Sequence, residues 1–475
     1  MRPYLLIRVF ALLVCWGAST LAVRASHILS VDLTYEYTGT AANPYQYRVR
    51  ATLYQDLNSS VTDNQMQLTC GRNECSSTQV GSFTTMLQRT SPRLPAGSCG
   101  AGPLYYSITV LEGQVQLPPA LWTLSVNTSN RRYGLLNMSQ PWLQSYYVQA
   151  LLDNRSGLVN TSPRFAPARL IDLTDAPGQR YSMHTFDADG DSLVYELVQP
   201  QADSEPSVCG YSTVGAIAPQ FLINQETGEL LYQPVPVRQG YYALAVQVNE
   251  YRQVNGRWQQ IGSVRRDTQY QLRVGTNQPP VFTRVTSSSN PAVQLQGQTL
   301  RVNPGQTITL NLTATDADAG QVLELRSDDV GLVPGLMFQD LGNGQGQLSW
   351  QVPATLSPGL YVLTATASDS FCPTVGAAVQ TIPFRVTRQT LGAARPHVAS
   401  IVAYPSPFDQ QVRFQLIQPG IQPLLIIDQL GRTVARLQST PEGSVVWQPA
   451  GVSPGLYLAR TLDGTQVARL AYSGR

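Results

Sequence analysis

The feature that most narrows the fold is a pair of internal copies in the middle of the chain. Residues 178–198, GQRYSMHTFDADGDSLVYELV, correspond to residues 305–325, GQTITLNLTATDADAGQVLEL, as a strand, an aspartate-rich turn and a second strand. Further on, GELLYQPVPVRQGYYALAVQVNEY corresponds to GQLSWQVPATLSPGLYVLTATASDS, and the copies close on similar strands, QYQLRV and TIPFRV. Self-similarity of this kind marks two related modules in tandem.

The local pattern says what the modules are made of. Tyr45, Tyr47, Val49, Ala51 and Leu53 alternate with Gln46, Arg48, Arg50 and Thr52, which predicts a strand with one face on a core and one in water. Ile308, Leu310, Leu312 and Ala314 repeat the pattern, as do Tyr242, Leu244, Val246 and Val248. Long amphipathic helical stretches are absent, and 33 Pro, 37 Gly and 23 Tyr with 13% charged residues favour short strands and turns. The expected class is all-β, built as tandem sandwiches of antiparallel sheets. The expected divisions are an N-terminal sandwich over 26–160, a first repeat module over 161–276, a second over 277–390, a linker at 391–397 and a small β domain over 398–475. The proline-rich NQPPVF, Asn277 to Phe282, is the joint between the copies, with Ser162 to Phe165 as its counterpart before the first.

The ends and the composition restrict the compartment and the chemistry. Arg2, an apolar run from Leu5 to Ala22 and the small residues around Ala25 predict a secretory signal peptide over 1–25. No later segment reaches the roughly 20 apolar residues that span a bilayer as a helix. A net charge of +2 with scattered arginines argues against a nucleic-acid partner. The absence of lysine excludes a Walker A loop and a lysine Schiff base. After signal removal Cys70, Cys75, Cys99, Cys209 and Cys372 remain. One disulfide is expected among the first three, its connectivity open. A zinc site would need more ligands than His27, His184 and His397 provide nearby.

The aspartate-rich turn is the candidate site. Asp187, Asp189 and Asp191 stand at i, i+2 and i+4, a spacing that lets three carboxylates converge on one hard cation, and Glu250 lies late in the module. A turn of this composition also serves backbone geometry alone, with no ion. These modules resemble the cadherin-like and immunoglobulin-like repeats of secreted bacterial surface proteins. That resemblance implies a calcium site formed by the DxDGD turn and Glu250, with Asp316, Asp318 and Asp369 as a weaker second copy, since Ala319 and Gly320 replace its glycine and third aspartate. Calcium is the one cofactor expected.

Two further resemblances bear on the whole chain. SHILSVDLTYEY, YQYRVRATLYQD and EYRQVNGRWQQIGSVRRDTQYQLRV resemble a family of secreted proteins associated with gliding motility and PKD-type modules, and the last segment predicts a hairpin about Asn255-Gly256. AYPSPFDQQVRFQL, LLIIDQLGRTVARL and the closing GLYLARTLDGTQVARLAYSGR resemble the type A C-terminal sorting domain of the type IX secretion system, with Asp428, Gly431, Arg432, Gly455 and Tyr457 matching its motif. This implies that residues 398–475 engage the type IX machinery, that the chain works outside the cell or on the outer-membrane surface, and that function resides in residues 26 to about 390.

Within that region catalytic patterns are missing. There is no HExxH, and GYSTVG at Gly210 to Gly215 has one residue too many for a serine elbow. His184, three residues before Asp187, is the one histidine near the acidic turn. The leading expectation is a non-catalytic adhesion or surface-binding protein. Its first domain would present aromatics, among them Tyr105, Tyr106, Trp122, Trp142, Tyr146 and Tyr147, to a polysaccharide or cell-surface ligand, or would bury them in its core. A secreted hydrolase acting on extracellular polymers and a purely structural stalk are the alternatives.

Overall fold

The computed structural model describes residues 28–56, 64–72, 82–91, 94–96, 106–128, 131–168, 171–174, 179–203, 211–233, 238–273, 275, 277–372, 375–388, 399–417, 420–462 and 464–474. Residues 1–25 and 391–397, expected to be a signal peptide and a linker, lie outside them, as do Cys75, Cys99, Cys209, His27, His397 and Tyr105. The described residues are built from strands, with a 3-10 turn at Pro141–Leu143, and fall into two compact units divided between Arg388 and Gln389. The all-β expectation is met: the described residues are packed β-sheets throughout.

In the first unit, the N-terminal strands form most of a ring. Ile28–Tyr37, Gln46–Asp56, Tyr106–Gln116, Phe83–Arg89, Gln65–Arg72, Leu121–Thr128 and Tyr146–Asp153 hydrogen-bond in that order. The alternation read at residues 45–53 holds in its core face: Tyr47, Val49, Ala51 and Leu53 are buried and the residues between them partly exposed, while Tyr45 lies at the surface.

The ring is completed by a strand from the first repeat. Arg257–Leu272 pairs Gly262 with Leu152 and, further along the same edge, Thr268 with Ser30, so it links the last and first strands of the N-terminal set. It is also half of a long hairpin with Gly240–Val254, turned by Asn255 at φ 51° and Gly256 at φ 76°, the left-handed pair that a two-residue hairpin loop requires. From Ile261 to Leu272 every residue but Ser263 is buried, because the strand is covered on both faces. The division placed at residue 160 is crossed by this one sheet, and one apolar core runs from Ile28 to Leu272.

Both repeats use the same pairing scheme. In the first, Ile171–Leu173 runs parallel to the closing strand, Ser192–Val198 pairs Gly240–Val254, and Glu229–Tyr232 lies between Arg180–Ser182 and Phe221–Ile223. In the second, Leu300–Val302 runs parallel to Ala377–Val386, Glu324–Arg326 pairs Gly359–Ser368, and Gln345–Gln351 lies between Thr307–Thr315 and Leu336–Gly342. The second repeat has its own core around Trp350, Phe384 and Leu310, into which Phe186 of the first repeat inserts against Tyr361.

The C-terminal unit packs a five-stranded sheet, including Pro423–Ile427, Thr433–Gln438, Gly455–Thr461 and Gln466–Tyr472, against a three-stranded one holding Val412–Gln415 and Ser444–Trp447. Phe408, Phe414, Ile426, Trp447 and Leu470 fill the space between. Asp428 shapes its hairpin: Oδ1 accepts the amides of Leu430 and Arg432 at 3.0 and 2.9 Å, Oδ2 accepts Arg432 Nε at 2.7 Å, and Gly431 takes φ 80°. These bonds hold the Asp428 carboxyl below its ordinary range, led by the Arg432 amide.

Candidate metal centre

The acidic turn begins where Thr185–Phe186 ends and finishes where Ser192–Val198 begins. Asp187 makes the turn: its Oδ1 accepts the amides of Gly190 at 2.7 Å and Asp191 at 3.4 Å. Gly190 sits at φ 81°, and a Cβ there would press on Ser357, Pro358 and the Tyr361 hydroxyl of the second repeat, so the turn is wedged between modules. The second Asp187 oxygen is buried and receives no hydrogen bond.

Glu250 arrives from the hairpin strand, opposite Leu193 and Gly262, where the register slips between Glu250 and Tyr251. Gly262 leaves the space the glutamate occupies, since a Cβ there would strike Glu250 Oε2 and Tyr35 Oη. Asn160 Nδ2 donates to Glu250 Oε2 at 2.6 Å, and Glu250 Oε1, fully buried, has no hydrogen-bond partner. One oxygen from each of Asp187, Asp191 and Glu250 lies within 4.8 Å of the others.

Three buried carboxylates face one guanidinium. Arg252 Nε donates to Asp191 at 2.6 Å, and the same group reaches Val159 O and Asn160 Oδ1 at 2.9 Å and Asp189 at 3.2 Å. Asp189 therefore stands on the rim, bonded to Arg252 and to the Thr161 amide at 2.9 Å, rather than inside the trio. Burial first, then the charge of Asp187, pushes Glu250 well above the carboxylate range. Burial, with Asp191 and Asp189 nearby, pushes Asp187 up to about 6. In the absence of a cation, a proton held between Asp187 and Glu250 relieves the repulsion. With that proton gone, Asp187 Oδ2 and Glu250 Oε1 have no donor and fit a hard divalent cation, which prefers oxygen ligands of this kind.

The second copy is built on the same plan and finished differently. Asp318 accepts the Gln278 amide at 2.7 Å as Asp189 accepts that of Thr161, and Asn277 donates to Asp369 at 2.9 Å as Asn160 donates to Glu250. Gln321 Nε2 then bonds Asn277 Oδ1 at 2.7 Å and Asp318 at 3.3 Å, the partners that correspond to those of Arg252 in the first copy. Both Asp369 oxygens are taken by amides, of Phe371 and Gly376 among others, each at 3.0 Å. Among the described residues, only Asp187, Asp191 and Glu250 form a group with the spacing of metal ligands, and Asp316, Asp318 and Asp369 are not brought together in that way.

The other sequence candidates fall into place around this centre. His184 is buried, with Nε2 at 2.6 Å from Asp329 Oδ1 and Nδ1 at 3.0 Å from Ser182 Oγ. The order is reversed from a serine-hydrolase relay, in which Nε2 serves the serine, and Asp329 is itself bonded by the Thr364 amide at 2.6 Å. The arrangement clamps the two repeats together. Trp122, Tyr106, Tyr146 and Tyr147 are buried, while Trp142 is exposed. Tyr133, which no motif in the sequence singles out, is exposed beside it. Cys70 is free and buried, its thiol pushed up to about 12 by burial, and Cys372 is disulfide-bonded.

Among the described residues no helix is long and apolar enough to cross a membrane, which leaves β-barrel spans unaddressed. No family model and no curated protein matches the chain. Solved structures with similar features include Drosophila N-cadherin EC1-3, 10% identical over 65% of this chain and 99% of that one, at a TM-score of 0.18. The titin I-band fragment I67-I69 is 12% identical over 66% and 99%, at 0.16. The Bacteroides ovatus SGBP-B in complex with a mixed-linkage heptasaccharide is 12% identical over 67% and 72%, at 0.16.

Proposed function

We propose that this chain is a non-catalytic, extracellular surface-binding protein whose module joint is stiffened by calcium held by Asp187, Asp191 and Glu250. The observation that carries the reading is the position of the acidic trio. Its three ligands come from a turn wedged against the second repeat and from a strand of the hairpin that completes the N-terminal ring, with Asn160 of the connecting segment bonded to Glu250. A cation there ties three consecutive parts of the chain into one piece. Extracellular modules bind calcium with dissociation constants of roughly 0.1–1 mM, and a site filled to about 100 times its dissociation constant gains about 2.7 kcal/mol.

Export rests on the tail. The Asp428–Arg432 turn gives the I-x-D-x-x-G-R motif a structural reason, and the two-sheet unit after residue 388 has the compactness of a separately recognised address for the type IX machinery. A reporter fused to residues 398–475 should reach the medium or outer surface of a host with that translocon, and retention in the periplasm would refute the address. The binding role is tested by retention of the purified protein on polysaccharides and on intact bacterial cells, with release of sugars followed in the same samples. Retention without release supports the proposal, and sustained release supports the hydrolase instead.

A further inference from the structure

The segment from Arg131 to Ser145 is surface chain held by an unusual amount of buried polar structure. The Arg131 guanidinium is enclosed: it donates to both Asp267 oxygens at 2.8 and 2.7 Å and to Gln201 O at 2.8 Å, and lies 4.0 Å from the centre of the Tyr146 ring. Asn137 bonds the backbone of Ala216 and Ala243 at 3.0 and 2.9 Å, Leu136 N donates to Tyr241 O at 2.8 Å, and Leu135 and Met138 pack on Ala243. Gln140, at φ 45°, leads into the Pro141–Leu143 turn. A fully desolvated ion pair gives little net stability, so its clear effect here is positional: it fixes the loop.

That loop holds two aromatic rings outward. Tyr133 is 70% exposed and Trp142 41%, with ring centres 4.9 Å apart and planes 36° apart, and Ser139 and Gln140 are exposed on the same segment. Arg131 faces inward and is paired with Asp267, while Arg132 lies 3.8 Å over Tyr241 and is the one arginine of the segment that carries its charge near the surface.

We propose that Tyr133 and Trp142 form a stacking site for a neutral glycan whose pyranose rings carry equatorial hydroxyls. This assigns the ligand class and the site of the surface-binding role proposed above, and rests on it. A pyranose with equatorial hydroxyls presents an apolar face of C–H groups that suits the negative face of an aromatic ring, while its hydroxyls point sideways to groups such as Ser139 and Gln140. The exposed rings offer roughly 200–300 Å², given 150–250 Å² for a whole aromatic side chain. That is far below the approximately 800 Å² per partner of a stable protein interface, but enough for a few sugar rings. With Arg131 paired and Arg132 alone, the segment lacks the clustered cations that a sulfated or nucleic polymer requires, which favours an uncharged one.

The test is affinity electrophoresis of the purified protein in gels containing hydroxyethyl cellulose, xylan or mannan, beside a pull-down on intact bacterial cells. Wild type, Tyr133→Ala, Trp142→Ala, the double variant and Trp258→Ala are compared, the last removing an exposed ring elsewhere. Wild type and Trp258→Ala should be retarded alike by at least one glycan. Each platform variant should bind about tenfold more weakly, and the double variant should migrate freely while keeping the wild-type melting temperature. If the double variant is retarded like wild type, or no glycan retards wild type while cells retain it and the double variant equally, the platform is refuted and the surface-binding role stands. If neither glycans nor cells retain wild type, both fall. If sedimentation shows a wild-type dimer that the double variant loses, the rings serve a contact between copies, and the glycan site is refuted.

Discussion

At the scale of single residues, the acidic centre predicts a pH dependence whose sign follows from its protonation. Asp187 and Glu250 have folded pKa values above those of free carboxyls, so the folded state binds more protons than the unfolded one. Without calcium, the contribution of this pair to stability is therefore greatest below about pH 4 and falls as pH rises through about 6 and beyond. Calcium replaces the proton, so its stabilisation should be small at pH 5 and larger at pH 8. Scanning calorimetry at pH 8 with about 10 mM calcium should show a melting temperature roughly 3–10 °C higher than with chelator. Glu250→Gln should raise the chelator-treated melting temperature at pH 8 and remove the calcium response, while Asp189→Asn, on the rim, should keep most of it. An unchanged calcium response in Glu250→Gln would show that the ion binds elsewhere.

At the scale of elements, the closing strand shows why a motif legible as sequence was only half legible as structure. The hairpin about Asn255-Gly256 could be read because its turn demands those residue types. The fate of Arg265, Arg266 and Asp267 could not, because alternation assigns polar residues to water unless a distant partner covers them, and here partners from the ring do. Arg266 bonds Asp32 of the first strand at 2.6 Å through Nε and Ala166 O at 2.7 Å, and Asp267 holds Arg131. Arg266→Met should cost about 3–5 kcal/mol by leaving Asp32 buried without its cation, and Asp32→Asn in the same chain should recover a large part. Urea unfolding of the three variants measures this, and a double variant no more stable than Arg266→Met would show that the pair does not act as a unit. In the acidic turn, likewise, the spacing of Asp187 and Asp191 was readable, but Arg252 as their counter-ion and Asn160 as the Glu250 clamp depend on strand pairings that no local pattern encodes.

At the scale of the whole molecule, the repeat and the all-β class were legible because they reside in composition and period, whereas the division at residue 160 was not a structural one. The N-terminal strands lack a ring-closing member that residues 257–272 supply. A chain of residues 26–160 should therefore expose the edges of Ile28–Tyr37 and Tyr146–Asp153 and aggregate, while residues 26–276 should elute as a folded monomer with native strand content by circular dichroism. A soluble, cooperatively melting 26–160 fragment would show that the borrowed strand is dispensable.

The borrowed strand also orders events in time. A polypeptide threaded from its N-terminus through a narrow channel releases Ser30 long before Thr268, the residue it must pair with. Until the hairpin emerges, the leading region waits as an open sheet, and its completion is a late, long-range closure of the kind that slows folding. In the proposed export, the front of the protein would therefore set only after residues up to about 268 had arrived.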